Sequence, residues 1–216
     1  MTKFLVAHGE NRDDDRTVLS RPRKEASWCK VNQGWVTVRN RTTNGKVSIA
    51  DVKSSRAVYR LWQNGAAGKE YFLVENRQKT GSFDVSMPGS GLLIWHIDDN
   101  QANNRDENHY WVGLMQADGK RDLEFSRNRG DAGDCWPGSA GNADFSATST
   151  PSSKAYTGAA TCVAVTAISP SGPTMTAKLQ VKCPAKKKSG AGSASKTSAR
   201  NKPRATRSAR GARKSR

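Results

Sequence analysis

The chain is short of the residues that metal and nucleophile chemistry require. It has three histidines, His8, His96 and His109, and none shows the H-E-x-x-H spacing that puts two imidazoles and a water-activating glutamate on one helix face. His8-Gly9-Glu10 has a glutamate close by, but no second histidine follows nearby. The G-x-S-x-G pattern of serine hydrolases is also missing; Gly89-Ser90-Gly91 reads as a turn leading into a strand. Cys29, Cys135, Cys162 and Cys183 form no C-x-x-C pair, which argues against thiolate zinc or dithiol redox chemistry. No segment approaches the roughly 20 apolar residues of a membrane span. The apolar run Phe4 to Ala7 is shorter than the roughly 7–15 residues of a signal-peptide core, so no export signal is expected within this chain.

Acidic residues are missing from one region altogether. Residues 184–216 carry twelve Lys or Arg and no Asp or Glu, out of a net charge of +17, so the remaining 183 residues carry about +5. The same segment contains no Val, Ile, Leu, Met, Phe, Trp or Tyr. Burial cannot then offset an ordering cost of roughly 1–2 kcal/mol per residue, and a disordered tail is expected. Lys186, Lys187, Lys188, Arg204, Arg207, Arg210, Arg213, Lys214 and Arg216 are its candidate contacts to nucleic acid or an acidic envelope polymer. Without an aromatic residue it has no stacking platform for bases, so binding would be electrostatic and indifferent to sequence.

What is present is β-strand pattern. Short runs rich in β-branched and aromatic residues, separated by turn-formers, predict strands over 35–39, 46–52, 57–62, 70–75, 92–97, 111–116, 162–168 and 174–181. Tyr71 to Val74 and Leu92 to Trp95 are apolar at every position, as strands covered on both faces are. Met175, Ala177, Leu179 and Val181 alternate with Thr176, Lys178 and Gln180, which predicts a strand with one wet face. Asn44-Gly45 suits a tight turn, predicting a hairpin of the first two strands. The fold class expected is mainly β, an antiparallel sheet or sandwich with a long Gly/Ser/Asp-rich loop. Its parts are a poorly ordered leader over 1–27, a β-rich domain over 28–183 and the basic tail over 184–216.

Four cysteines suit two disulfides in an oxidising compartment, with three connectivities open, or else buried thiols. A loop as long as 130–158 is usually functional, mobile, or held by a pin such as a metal or a disulfide. A Cys135–Cys162 bond would supply one, closing 26 intervening residues for about 3–4 kcal/mol. The stretch "DDNQANNRDEN" from Asp98, with Asp118, Asp131 and Asp134 beyond it, gathers the carboxylate and amide oxygens that calcium takes. Asp98, Asp99, Asp118, Asp131 and Asp134 are therefore the candidate calcium ligands. His96, two residues before Asp98, could be oriented by a carboxylate, but a satisfied structural histidine is the simpler reading.

Four ordered strings carry a resemblance: "KEYFLVENRQKTGSFDVSMPGSGLLIWHIDDN", "ADGKRDLEFSRNRGDAGDCWPGS", "ADFSATSTPSSKAYTG" and "VAVTAISPSGPTMTAKLQV". Together with "SWCKVNQGWVTV" before them, they resemble the region downstream of the zinc-binding helix in secreted metalloproteases of the immune inhibitor A type, over about Ser27 to Val181. The resemblance implies a β-rich, extracytoplasmic fold whose partners are a protease catalytic domain or its protein substrates. That family's zinc motif lies upstream of the matched region, so no catalytic residue carries over and zinc belongs to a part not represented here. A non-catalytic carboxy-terminal portion, inactive alone, is the function expected. The alternatives are a binding module anchored by its tail, and a truncated remnant without a function of its own.

Overall fold

The computed structural model describes residues 26–183; the leader and the basic tail expected from the sequence fall largely or wholly outside these residues. The fold is mainly β, in two sheets. The larger has the strand order β1 (Thr37–Asn40), β3 (Ala57–Leu61), β4 (Glu70–Arg77), β5 (Gly91–Asp98) and β6 (Val112–Leu114). The smaller has β2 (Gly45–Ala50), β8 (Thr174–Gln180) and β7 (Ala164–Thr166). All pairings are antiparallel except β1 with β3. Three short helices, α1 (Ser27–Asn32), α2 (Val52–Ser55) and α3 (Gly81–Asp84), lie between strands or ahead of them.

Period-two alternation sorts the large sheet into two interiors. Phe72, Val74, Leu92 and Ile94 pack with Met175, Ala177 and Leu179 of the small sheet, while Tyr71, Leu73, Leu93, Trp95 and Ile97 pack on the other side with Val52, Met87 and α1. That is why β4 and β5 are apolar at nearly every position, and they are central as expected. Strand β8 also meets expectation, with Met175, Ala177 and Leu179 buried and Thr174, Lys178 and Gln180 exposed.

The hairpin expected at Asn44-Gly45 does not form. Strand β1 pairs in parallel with β3, and β2 crosses to the other sheet to pair with β8, Val47 opposite Ala177 and Ile49 opposite Met175. Burial decides this, because β2 has an apolar face to cover and β8 offers one, whereas all four residues of β1 are exposed. Asn44 instead accepts at Oδ1 from the N–H groups of Val181 and Lys182, at 2.8 and 2.9 Å, and so secures the end of β8.

The disulfide also differs from expectation. Cys162 bonds Cys183, joining the approach to β7 with the chain just after β8, while Cys135 is a buried free thiol. Trp136 bridges to Leu92 of β5 and packs between the sheets, and alternation turns its neighbour Cys135 into the opposite interior, away from Cys162. Burial pushes that thiol up to about 12. Gly91, at φ +151°, permits this bridge: a Cβ there would lie 2.4 Å from the Trp136 carbonyl oxygen. The loop over 130–158 is thus pinned by aromatic rings, with Trp136 and Phe145 fully buried and 5.5 Å apart.

Candidate functional site

Strand register assembles the most structured polar cluster. Glu70 pairs with Asp98 and Phe72 with His96 across β4 and β5, so these side chains share the face toward the small sheet. Tyr156, from the long loop, inserts between the two histidines. Its ring stacks on His96 at 4.1 Å and on His109 at 4.0 Å, and Phe72 backs His96 at 4.3 Å. Each imidazole has its own carboxylate: Glu70 Oε1 lies 2.9 Å from His96 Nε2, and Asp98 Oδ2 lies 2.8 Å from His109 Nε2. Glu70 Oε1 also accepts the backbone N–H of Tyr156 at 2.8 Å, which ties the loop to the strand pair.

The electrostatics follow from burial. Desolvation lowers the pKa of His96 despite the nearby Glu70 carboxylate, favouring the neutral ring. Burial acts to raise the pKa of Asp98, but the backbone and side-chain N–H groups of Asn100 and the bond to His109 outweigh it and hold the carboxyl below its usual range. Burial raises the Tyr156 hydroxyl well above the ordinary phenol value. His96 is thus buried against Tyr156 and held by the Glu70 carboxylate, not by Asp98 two residues on.

The five candidate calcium ligands separate into two places. Asp98 is taken up by His109. Asp99 accepts from Trp28 Nε1 at 3.0 Å, Trp111 Nε1 at 3.1 Å and the Tyr71 hydroxyl at 3.0 Å, fastening α1 to the sheet. Asp118 and Asp131 do come together, joined by Asp122, with one carboxylate oxygen from each lying within 4.8 Å of the others. Asp134 adjoins them through Oδ2, which accepts the Asp131 N–H at 2.7 Å. Burial, reinforced by Asp131, Asp118 and Glu124 against the pull of that N–H, raises its pKa to about 7. The chain passes close at Gly133, where a Cβ would stand 2.6 Å from Asp118 Oδ2 and 2.9 Å from Asp131 Oδ1.

Three oxygens so placed offer a hard cation part of the six to eight ligands it needs. Cations of the chain already answer two of them, Lys120 at 3.0 Å from Asp118 and Arg127 at 3.4 Å from Asp122. Sequence reasoning passed over Asp122, although it stands in the same segment four residues beyond Asp118. It also passed over Glu70, which strand register brings beside His96, and Tyr156, which the path of the loop places there.

Comparison of the chain with protein-family profiles, with curated proteins and with solved structures finds no match in any of the three. Among the described residues, no helix is long and apolar enough to cross a membrane.

Proposed function

We propose that this chain is the non-catalytic, β-rich portion of a secreted metalloprotease-like protein, supporting a catalytic part or its protein substrate. The observation that carries this reading is the use made of His96 and His109: each is held by a carboxylate and stacked on Tyr156. The strings behind the resemblance also form the interior, since they supply β4, β5, Trp136 and β8. The Cys162–Cys183 bond is in keeping with an oxidising, extracytoplasmic compartment.

The purified chain is expected to leave casein intact with or without zinc. Hydrolysis that a chelator abolishes and zinc restores overturns the proposal. In the same reading, calcium binds at Asp118, Asp122 and Asp131 and fastens the loop they belong to. Calcium should then raise the melting temperature of the wild type and not of Asp118→Asn; an equal response in both removes calcium from the proposal.

A second reading, attachment to polyanions through residues 184–216, is favoured by twelve cations without an anion. Those residues lie outside the described ones. Heparin and DNA should bind the full chain, lose affinity together as salt rises, and bind poorly to a chain ending at Cys183. Undiminished binding after that truncation excludes the tail.

A further inference from the structure

Away from the histidine stack, the outer edge of the large sheet combines a cavity, exposed apolar side chains and a spare cation. The cavity is about 210 Å³, and its lining includes Lys30, Lys53, Arg56 and Arg77, the acid Asp84, and the apolar Trp35 and Val36. Three of its four cations are committed. Lys30 bonds Glu75, Arg77 pairs with Asp84 at 2.9 Å, and Lys53 lies 3.4 Å from Asp51 while donating to the Thr80 carbonyl at 2.7 Å. Arg56 is the exception. It caps α2 in the left-handed region, at φ +47°, and its exposed guanidinium has no hydrogen bond or ion pair to any described residue.

Beside the cavity runs β1, whose only strand partner among the described residues is β3. The N–H groups of Thr37 and Arg41 donate to Arg56 and Arg60 carbonyls at 2.7 and 3.0 Å. Alternation along the strand therefore turns the N–H and C=O groups of Val38 and Asn40 outward. An edge of this kind is a template for another strand, and proteins usually block it with charge, proline or cover. Here it is flanked by Trp35, 57% exposed, and Val38, 36% exposed.

We propose that β1 is a docking edge for an extended segment of a partner protein that carries an acidic side chain. The segment adds to the sheet alongside β1, pairing with the outward groups of Val38 and Asn40. Its carboxylate meets Arg56 at the cavity, and a neighbouring apolar side chain covers Trp35. Charge complementarity selects this occupant, because the four lining cations exceed Asp51, Glu75 and Asp84 by one, and Arg56 is the cation left over. The inference rests on this edge and does not require the protease-like reading.

The test uses the full chain, labelled with nitrogen-15, near physiological ionic strength. The probe is the peptide acetyl-VTVEVT-amide, compared with the same peptide in which glutamine replaces the glutamate. The acidic peptide should shift the amides of Val38 and Asn40, the Trp35 indole and the Arg56 side chain, and the glutamine peptide should bind about tenfold more weakly, as expected for loss of a charge-assisted hydrogen bond. Arg56→Gln and Arg56→Glu should each cost about tenfold, while Lys46→Glu, at an exposed position of β2, should cost nothing. The proposal fails if neither peptide binds, if the shifts map elsewhere, or if the Arg56 variants bind as the wild type does. It also fails if binding appears only after residues 1–25 are removed, since the chain's own leader would then be the occupant.

Discussion

Strand β5 and the loop between Met115 and Val163 both bury aromatic rings in the same molecule, and they hold them by different means. In β5 the ladder does the work: eight consecutive residues pair with β4, and every one is buried. The loop has only isolated bridges, Trp136 with Leu92 and Phe145 with Val165. Between these its short polar side chains take the place of a ladder. Asn142 donates to the Ala117 carbonyl at 2.6 Å, Ser153 to Val163 at 2.5 Å and Thr161 to Ser153 at 2.6 Å. Residues that compete with regular structure elsewhere thus define an irregular one here. The comparison teaches that a segment with loop composition can be as firmly built as a central strand.

The largest effect should test that equality directly. Trp136→Ala is expected to lose about 3–5 kcal/mol of unfolding free energy, and Ile94→Ala in β5 about 2–5 kcal/mol, both read from urea denaturation. A loss below about 1 kcal/mol at Trp136 would show the loop to be a cover over a core that stands without it. Next in size, replacing Cys162 and Cys183 together by serine should cost about 3 kcal/mol, for a bond spanning 21 residues. In denatured, unreduced protein Cys29 and Cys135 should alkylate while Cys162 and Cys183 do not; alkylation of Cys29 and Cys183 instead would restore the Cys135–Cys162 pairing.

A smaller effect concerns the junction of strand and loop at His96. Its folded pKa lies below the unfolded value, so the unfolded chain binds more protons and stability should fall as pH drops through about 6.5 toward the folded value. His96→Gln, which keeps a donor for Glu70, should flatten that part of the profile, and an unchanged slope would place its origin elsewhere. Smallest is the single hydroxyl of Ser153, buried and bonded within the loop. Ser153→Ala should cost about 1 kcal/mol, against less than about 0.5 kcal/mol for Lys178→Ala on the wet face of β8. Equal costs would mean that these side-chain bonds contribute little.

The same contrast explains what could be read in advance. Strands β4, β5 and β8 announce themselves because burial on one face or two is written into their neighbouring residues. The partner of β2 is not, since Asn44-Gly45 is a good turn locally and the choice of β8 depends on which apolar face needs cover far along the chain. Cysteine spacing carries no record of which side of a sheet a side chain faces, and that side separated Cys135 from Cys162. At the candidate site, Asp118 and Asp131 were visible as acids near one another in the chain. Tyr156 was not, because its place between two histidines comes from the loop's path and from Glu70 capturing its N–H.

The path of β2 also has a consequence in time. Strands β1 and β3 to β6 are contiguous but for β2, and can pair as they emerge. Val47 and Ile49 have no partner strand until Thr174–Gln180 has been made. The ~120 residues in between take roughly 6–25 s to synthesise at about 5–20 residues per second. For that interval the nascent chain carries a half-apolar strand beside a finished sheet, and any holdase that attends this protein should be bound there and released when the last strand arrives.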